Sequence, residues 1–410
     1  MYDLAIIGAG PAGISAAKSA LAAGLKSILI DKSENAFGGV CLNQGCIPTK
    51  FFIQNSNSSK SWSDLLVLKQ ALIEKIKLPI IGSLKKQGLD IIFGEASFVD
   101  KNTLAVNGEK VLAKNIIIAS GSLSKDIFKS SKTISVESVL DQKILADNIL
   151  IIGAGYVGVE LSSLLHKFGK KVLLIEKENQ ILPSFDSQLS SRLEVILKRQ
   201  GVELETGVDA NKYDFSKFSM IVQAVGRSPS LEGLKLENAA VLVDGNGWIK
   251  TDNYLKTSQD NIYACGDVIG KRLLAYVAEY QGRLAVDNIS GKNILEDYSG
   301  LPECVFSQPQ LAKVGILEAE AKLEGINFKV IKSNFLKFSS AHVYDDSDGF
   351  MKVLIDDQGK IIGAGIISKH AGELISIFSL CIKNQLNLND LKKCLFIHPT
   401  LSEIIPLLVQ

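Results

Sequence analysis

Residues 4–32, LAIIGAGPAGISAAKSALAAGLKSILIDK, recur 145 positions later as residues 149–177, ILIIGAGYVGVELSSLLHKFGKKVLLIEK. Gly8, Gly10 and Gly13 of the first copy fall on Gly153, Gly155 and Gly158 of the second, Gly24 on Gly169, and Asp31 on Glu176. In each copy an apolar run suited to a doubly buried parallel strand meets a glycine-rich turn, then a helical stretch, then a second apolar strand ending in an acid. The turn must be tight and its backbone must approach a pyrophosphate, which rests on the NH groups and positive end of the helix. The acid follows the first glycine by 23 residues in both copies, where it can accept from a ribose hydroxyl. A glycine triplet alone is weak, since many loops that bind nothing contain one, but two copies each carrying strand, helix and acid make a strong signal. Glu176 favours the free 2′-hydroxyl of NAD over the extra phosphate of NADP, with Lys177 a partial counterweight.

Other segments fit around these units. NIIIASGS (115–122) and NIYACGDV (261–268) read as short buried strands ending in small residues, where backbone can approach a ligand. Residues 62–88 read as an amphipathic helix broken near Pro79. From about residue 297 the pattern changes to strands such as GFMKVLID and KIIGAGII followed by the helical AGELISIFSLCIKN, the pattern of a separate α+β domain.

The chain has 410 residues, enough for two or three domains. A formal net charge of +1 without long runs of like charge argues against nucleic acid or a polybasic membrane patch and for small-molecule ligands. Apolar residues make up 46% of the chain, but no uninterrupted stretch reaches the ~18 residues of a membrane-spanning helix. Folded pattern starts almost at the first residue, so no targeting segment is read and the expectation is a cytoplasmic protein.

The six cysteines are too dilute for a secreted disulfide scaffold. Only Cys41 and Cys46 stand close together, in GGVCLNQGCIPTK (38–50). A metal site would need further ligands, so none is expected. A disulfide here would close so short a loop that it removes only about 2 kcal/mol of chain entropy. Buried inert thiols suit Cys265, Cys304, Cys381 and Cys394 better than this polar, glycine-rich setting. Were the pair bonded, a regular helix would hold the two Cα atoms about 8 to 9 Å apart, beyond the limit of about 7 Å for a disulfide. The segment would have to be a distorted turn, helped by Asn43 and Gly45, and a distorted short loop is easily opened.

Taken together, the two dinucleotide units, GGVCLNQGCIPTK, NIIIASGS, NIYACGDV and the terminal HPTLSE make the chain similar, along essentially its whole length, to the flavin-dependent pyridine nucleotide-disulfide oxidoreductases. Among these it most resembles the dihydrolipoamide dehydrogenases. The resemblance implies an α/β fold with two Rossmann-like domains. These are an FAD-binding domain over 1–145, completed by about 250–296, and an NAD-binding domain over 146–249. A C-terminal α+β interface and dimerisation domain over 297–410 would follow.

For the sites, the resemblance implies a redox disulfide between Cys41, which exchanges with substrate, and Cys46, which faces the flavin. Gly8, Gly10, Pro11, Ala12, Gly13, Asp31, Lys32, Gly39, Val40, Ala96, Ser120, Gly121, Ser122, Gly266 and Asp267 would serve FAD. Lys50 would lie beside the flavin ring with Glu160 as its carboxylate partner, and Leu273, Leu274, Ala275 and Tyr276 would give it a backbone contact. Gly153, Gly155, Gly158, Glu176, Gly226 and Arg227 would serve NAD. Exchange needs a base, because a free thiol is mostly protonated near neutrality. HPTLSE offers His398 with Glu403 to orient it, though locally Thr400 and Glu403 fit a helix capping box as well. The resemblance favours catalysis, with His398 reaching the cysteines of a second subunit in a homodimer. The partner would be the lipoyl domain of a 2-oxoacid dehydrogenase or glycine-cleavage complex. His166, His342 and His370 receive no role.

The chain is shorter than typical members of the family: the stretch between Thr206 and Val222, where the family has a longer β-meander, and the segment after Lys50 are both trimmed. Ser120, Tyr276, Val277 and Gln44 also replace more usual residues, yet every reacting group is present. Two rivals remain. One is a sister flavin disulfide reductase acting on another disulfide or on mercuric ion; the other is a non-catalytic flavoprotein subunit of a multienzyme complex.

Overall fold

A computed structural model describes residues 1–409. The chain divides into two compact units. The first comprises Met1–Ile127, Ser135–Ile144 and Val225–Asp297; the second comprises Phe128–Ile134, Leu145–Ala224 and the described residues from Tyr298 onward.

In the first unit, β1 (Tyr2–Ile7) and β2 (Ser27–Asp31) lie parallel, in register from Leu4 opposite Ser27 to Ile7 opposite Ile30. Parallel neighbours need a crossover, which α1 (Pro11–Ala22) supplies, with proline at its start where the missing NH costs nothing. Leu4, Ala5, Ile6, Ile28 and Leu29 are fully buried, as doubly covered strands require. Glu109–Ile118 lies parallel on the other side of β1, and Ile262–Ala264 extends the sheet beyond it. The segment Val225–Asp297 is integral to this unit. Its helix Ala275–Ile289 packs on α1 so closely that a Cβ on Gly282 would stand 2.1 Å from the Ala12 carbonyl oxygen.

Three helices follow β2: α2 (Gly39–Asn43), α3 (Cys46–Asn55) and α4 (Trp62–Lys86). The break expected near Pro79 does not occur; α4 is continuous through it. Proline removes one hydrogen bond, whereas the buried stripe Leu65, Lys69, Ile73, Lys77, Ile81 and Leu84 runs past it on both sides. Ser61 and Asp64 close the first turn as a capping box.

The second unit repeats the strand, helix, strand device. Asn148–Ile152, helix Tyr156–Lys167 and Lys171–Ile175 carry it, flanked in parallel by Glu203–Glu205 and Met220–Gln223. Between those flanking strands stand two short 3₁₀ turns, in the stretch read from the sequence as a shortened meander. Asp209 and Asp214 cap them by accepting from the Asn211 and Ser216 amides at 2.9 and 3.0 Å.

The same unit holds a five-stranded antiparallel sheet in the order Pro302–Val305, Gln310–Gly315, Ile361–Ser368, Phe350–Asp356, Phe328–Asn334. Helix Ala371–Lys383 packs Leu374, Ile375, Phe378 and Cys381 into its core. Of the four cysteines read as core thiols, Cys265 and Cys381 are buried, Cys304 is half-buried and Cys394 is exposed. Cys394 follows the short helix Leu388–Lys392, and its thiol donates to the Asp390 carbonyl at 3.5 Å instead of entering the core.

Lys352 is 1% exposed and is neutralised by Asp186 at 2.6 Å and by Glu318. Removing one partner of a buried ion pair strands the others, so Lys352→Met is expected to lose about 3 kcal/mol of stability in denaturant unfolding. Hydrogen bonds from Lys322 and Lys352 hold the Glu318 carboxyl down at about 2. A carboxyl depressed by folding stabilises above its unfolded value and loses that contribution as pH falls. Wild-type stability should therefore drop between pH about 4.5 and about 2 by a component that Glu318→Gln lacks. Equal pH profiles for the two proteins would contradict this.

Candidate active site

The two glycine turns have one geometry. Gly8 and Gly153 take φ of +100° and +98°, open to glycine and strained for other residues. Gly13 and Gly158 sit so close to the preceding strand that a Cβ on either would lie 1.8 Å from the carbonyl oxygen of Gly8 or Gly153. Gly10 and Gly155 cap the helices without a side-chain hydrogen bond. Unoccupied NH groups at such a helix start favour an anion.

The acids close each turn from the other side. Asp31 accepts from the Ala9 amide at 2.8 Å and from Lys32 N at 2.7 Å. Burial nonetheless raises its carboxyl above the usual value. Glu176 accepts from the Ala154 and Glu178 amides at 2.6 and 3.0 Å. Gly8 also meets Ala119 and Ser120 backbone, and the Ser120 hydroxyl is a buried group without a hydrogen-bond partner. Close-approach glycines, open helix starts, a placed carboxylate and an orphaned hydroxyl all fit a dinucleotide.

The cysteine segment is built onto the first turn. Gly38 and Gly39 have φ of +96° and +64°. Gly38 N donates to the Ala9 carbonyl at 2.8 Å, and a Cβ on Gly39 would stand 2.9 Å from Gly10 Cα. These two glycines thus bring the loop backbone against the nucleotide turn. Val40 and Cys41 continue in α2, held by Asn43 Nδ2, which donates to the Gly39 and Phe37 carbonyls at 2.8 and 3.0 Å. The helix then breaks at Gln44 and Gly45, the latter at φ −121°, ψ −117°, and α3 starts at Cys46.

Cys41 and Cys46 are not joined as a disulfide here and stand as thiols, Cys41 half-buried and Cys46 exposed. Their mutual hydrogen bond, and then burial, push the Cys41 thiol well above the ordinary thiol range. The break therefore brings the sulfurs together, and Cys41 keeps its proton until a base removes it. Lys50 lies in α3 one turn beyond Cys46.

Elsewhere in the first unit, Ala96 is buried at the start of its strand, and Gly121 and Gly266 take φ of +75° and +78°. Ser122 Oγ donates to Asp267 at 2.7 Å. Arg227, expected near NAD, is committed within this unit. Its Nε donates to Ser122 Oγ at 2.7 Å, its Nη2 to the Ser122 carbonyl at 2.8 Å, and its Nη1 to Glu137 at 2.9 Å and Ser124 at 3.2 Å. The preceding Gly226 takes φ +103°. Leu273 and Leu274 lead into the helix that Ala275 opens, with Leu273 and Tyr276 exposed.

In the second unit, Glu160 Oε1 accepts from the Phe306 amide at 2.8 Å. His398 Nδ1 and Glu403 Oε2 lie 2.7 Å apart, with the imidazole exposed and the carboxylate mostly covered. The competing capping box is absent: Thr400 makes no cap bond and donates instead to the Ile397 carbonyl at 2.6 Å. Glu403 thus orients a histidine whose other nitrogen faces outward. Among the described residues no cluster of three or more metal-ligating side chains occurs, and no helix is long and apolar enough to cross a membrane. Ser124 and Glu137, the remaining holders of Arg227, carry no motif that would have singled them out.

Residues 2–282 match the pyridine nucleotide-disulphide oxidoreductase family, and residues 301–409 match its dimerisation domain. A dihydrolipoyl dehydrogenase of Bacillus subtilis is 34% identical over 98% of this chain and 94% of its own length. One from Geobacillus stearothermophilus is 33% identical over 97% and 93%. Among solved structures, the HOCl-induced flavoprotein disulfide reductase RclA of Escherichia coli superposes with a TM-score of 0.92 over 98% of each chain, at 27% identity. With paired nucleotide turns, a dithiol built onto the first of them and matches from end to end, the chain belongs to the pyridine nucleotide-disulphide oxidoreductases, as a flavoprotein with a dimerisation domain.

Proposed function

We propose that this oxidoreductase is a dihydrolipoyl dehydrogenase, oxidising the dihydrolipoamide of a lipoyl domain to lipoamide and delivering the electrons to NAD. The observation that carries the reading is the hydrogen-bonded pair Cys41 and Cys46 across a helix break that abuts the nucleotide turn. The substrate rests on the relatives, several of which are dihydrolipoyl dehydrogenases at 31–34% identity.

In the oxidised protein, a thiolate of the substrate attacks Cys41 Sγ, forming a mixed disulfide and releasing Cys46 as a thiolate. The second substrate sulfur then displaces Cys41, so lipoamide leaves and two electrons remain on the cysteine pair. FAD held beside this pair would supply the two-electron link between the dithiol and NAD. Cys46, at the first turn of α3, is placed where a helix end favours negative charge. The raised Cys41 thiol needs an acceptor for its proton. That acceptor is His398 of a second copy, through its outward nitrogen, with Glu403 stabilising the cation. Gly8, Gly10, Gly13, Ser120, Ser122 and Asp267 would hold FAD, and Gly153, Gly155, Gly158 and Glu176 would hold NAD. Arg227 positions Asp267 both through Ser122 and through its own Nε, 3.9 Å from Asp267 Oδ2.

The likeness to RclA supports a second reading, in which the same centre reduces a different disulfide. A steady-state assay of the purified flavoprotein with dihydrolipoamide and NAD, against NADP, glutathione disulfide and mercuric ion, separates the two. NAD-linked dihydrolipoamide oxidation is expected to dominate; its absence with FAD bound overturns the proposal. Cys41→Ser and Cys46→Ser should each abolish turnover while flavin absorbance remains. His398→Gln should slow the thiol-exchange step by about a hundredfold or more, the range of general base catalysis. A wild-type rate for that variant in stopped-flow reduction would leave the His398 and Glu403 pair a purely structural one.

A further inference from the structure

The helix break between Cys41 and Cys46 is held from outside. Gln44, at the break, donates from Nε2 to Asp141 Oδ2 at 3.1 Å. The other Asp141 oxygen takes the ammonium of Lys69 from α4, a side chain 6% exposed that also donates to the Leu140 carbonyl at 3.0 Å. A second tie reaches the far side of the break. Phe52 of α3 is fully buried and stacks on Trp62 at 4.4 Å, and Trp62 Nε1 donates to the Gln142 carbonyl at 2.8 Å. Residues 140–142 therefore anchor the end of α2 through Gln44 and the body of α3 through Trp62.

A buried ammonium is costly unless paired, so Lys69 keeps Asp141 in place. With one oxygen so engaged, the other is presented to Gln44. Disulfide closure requires the two cysteines nearer than a regular helix allows. Any restraint that already holds the dithiol in the broken arrangement raises the effective concentration of one thiol for the other.

We propose that Lys69, Asp141 and Gln44 form a strap that preorganises the Cys41 and Cys46 dithiol for closure and thereby sets its reduction potential. All three are positioning residues, acting through the backbone of the break. The inference rests on the reading of Cys41 and Cys46 as a redox couple. In closure the two thiols lose two protons and two electrons and gain one S–S bond, while one cyclic dithiothreitol disulfide accepts both and opens to its dithiol.

The test equilibrates the flavin-loaded holoenzyme, without oxygen, in mixtures of reduced and oxidised dithiothreitol, followed by acid quench, alkylation and mass spectrometry of Cys41 and Cys46. Gln44→Ala, which leaves the Lys69 and Asp141 pair intact, and Asp141→Asn are compared with wild type. Each is expected to shift the midpoint about tenfold toward the dithiol, equivalent to about 30 mV for a two-electron couple. The denaturation midpoint of Gln44→Ala should stay at the wild-type value, which separates positioning from general destabilisation. Midpoint ratios of reduced to oxidised dithiothreitol within twofold of wild type in both variants overturn the strap and leave the redox couple standing. A wild-type protein in which no bond forms between Cys41 and Cys46 at any ratio overturns the couple and the strap with it.

Discussion

The backbone approach of Gly13 to Gly8, and of Gly158 to Gly153, is the constraint from which the rest of each nucleotide unit follows. With 1.8 Å available to a Cβ, only glycine lets the helix lie against the strand end. That proximity presents the helix start at the mouth of the parallel sheet, where an anionic ligand can be held. In the first unit the constraint extends further. Gly39 packs on Gly10 backbone and Gly38 bonds to Ala9, so the dithiol loop takes its position from the same turn.

The chemistry then depends on interrupting a helix in the right place. Uninterrupted, residues 39–55 would hold the cysteines too far apart to bond; broken at Gln44 and Gly45, they bring two thiols into hydrogen-bond contact. The same contact makes Cys41 reluctant to lose its proton. The proposed exchange therefore calls for a separate base, and the exposed His398, oriented by the covered Glu403, has the construction of one.

Much of this was legible in the sequence because its signals are local. The repeat at an offset of 145, the glycine spacing and the closing acids fix two similar units, and a disulfide limit set against helix geometry already demands a bend near Asn43 and Gly45. What escaped depends on distant partners. Pro79 leaves α4 unbroken because burial along the helix outweighs one lost hydrogen bond. Arg227 follows a glycine turn of familiar type, but nothing local marks Ser122, Ser124 and Glu137, up to 105 residues away, as partners of its guanidinium. Gln44 reads as a minor substitution until Asp141 and the buried Lys69 give it a partner. The choice between capping box and oriented histidine at Thr400 and Glu403 needed side-chain geometry.

The most direct measurement of the central claim follows electrons rather than turnover. The oxidised flavoprotein is treated with one equivalent of NADH without oxygen, quenched in acid, alkylated and mapped by mass spectrometry, beside an untreated sample. The account predicts that Cys41 and Cys46 are unlabelled before treatment and both labelled after it, the other four cysteines being unchanged. Labelling of Cys41 and Cys46 that is the same before and after NADH would contradict it.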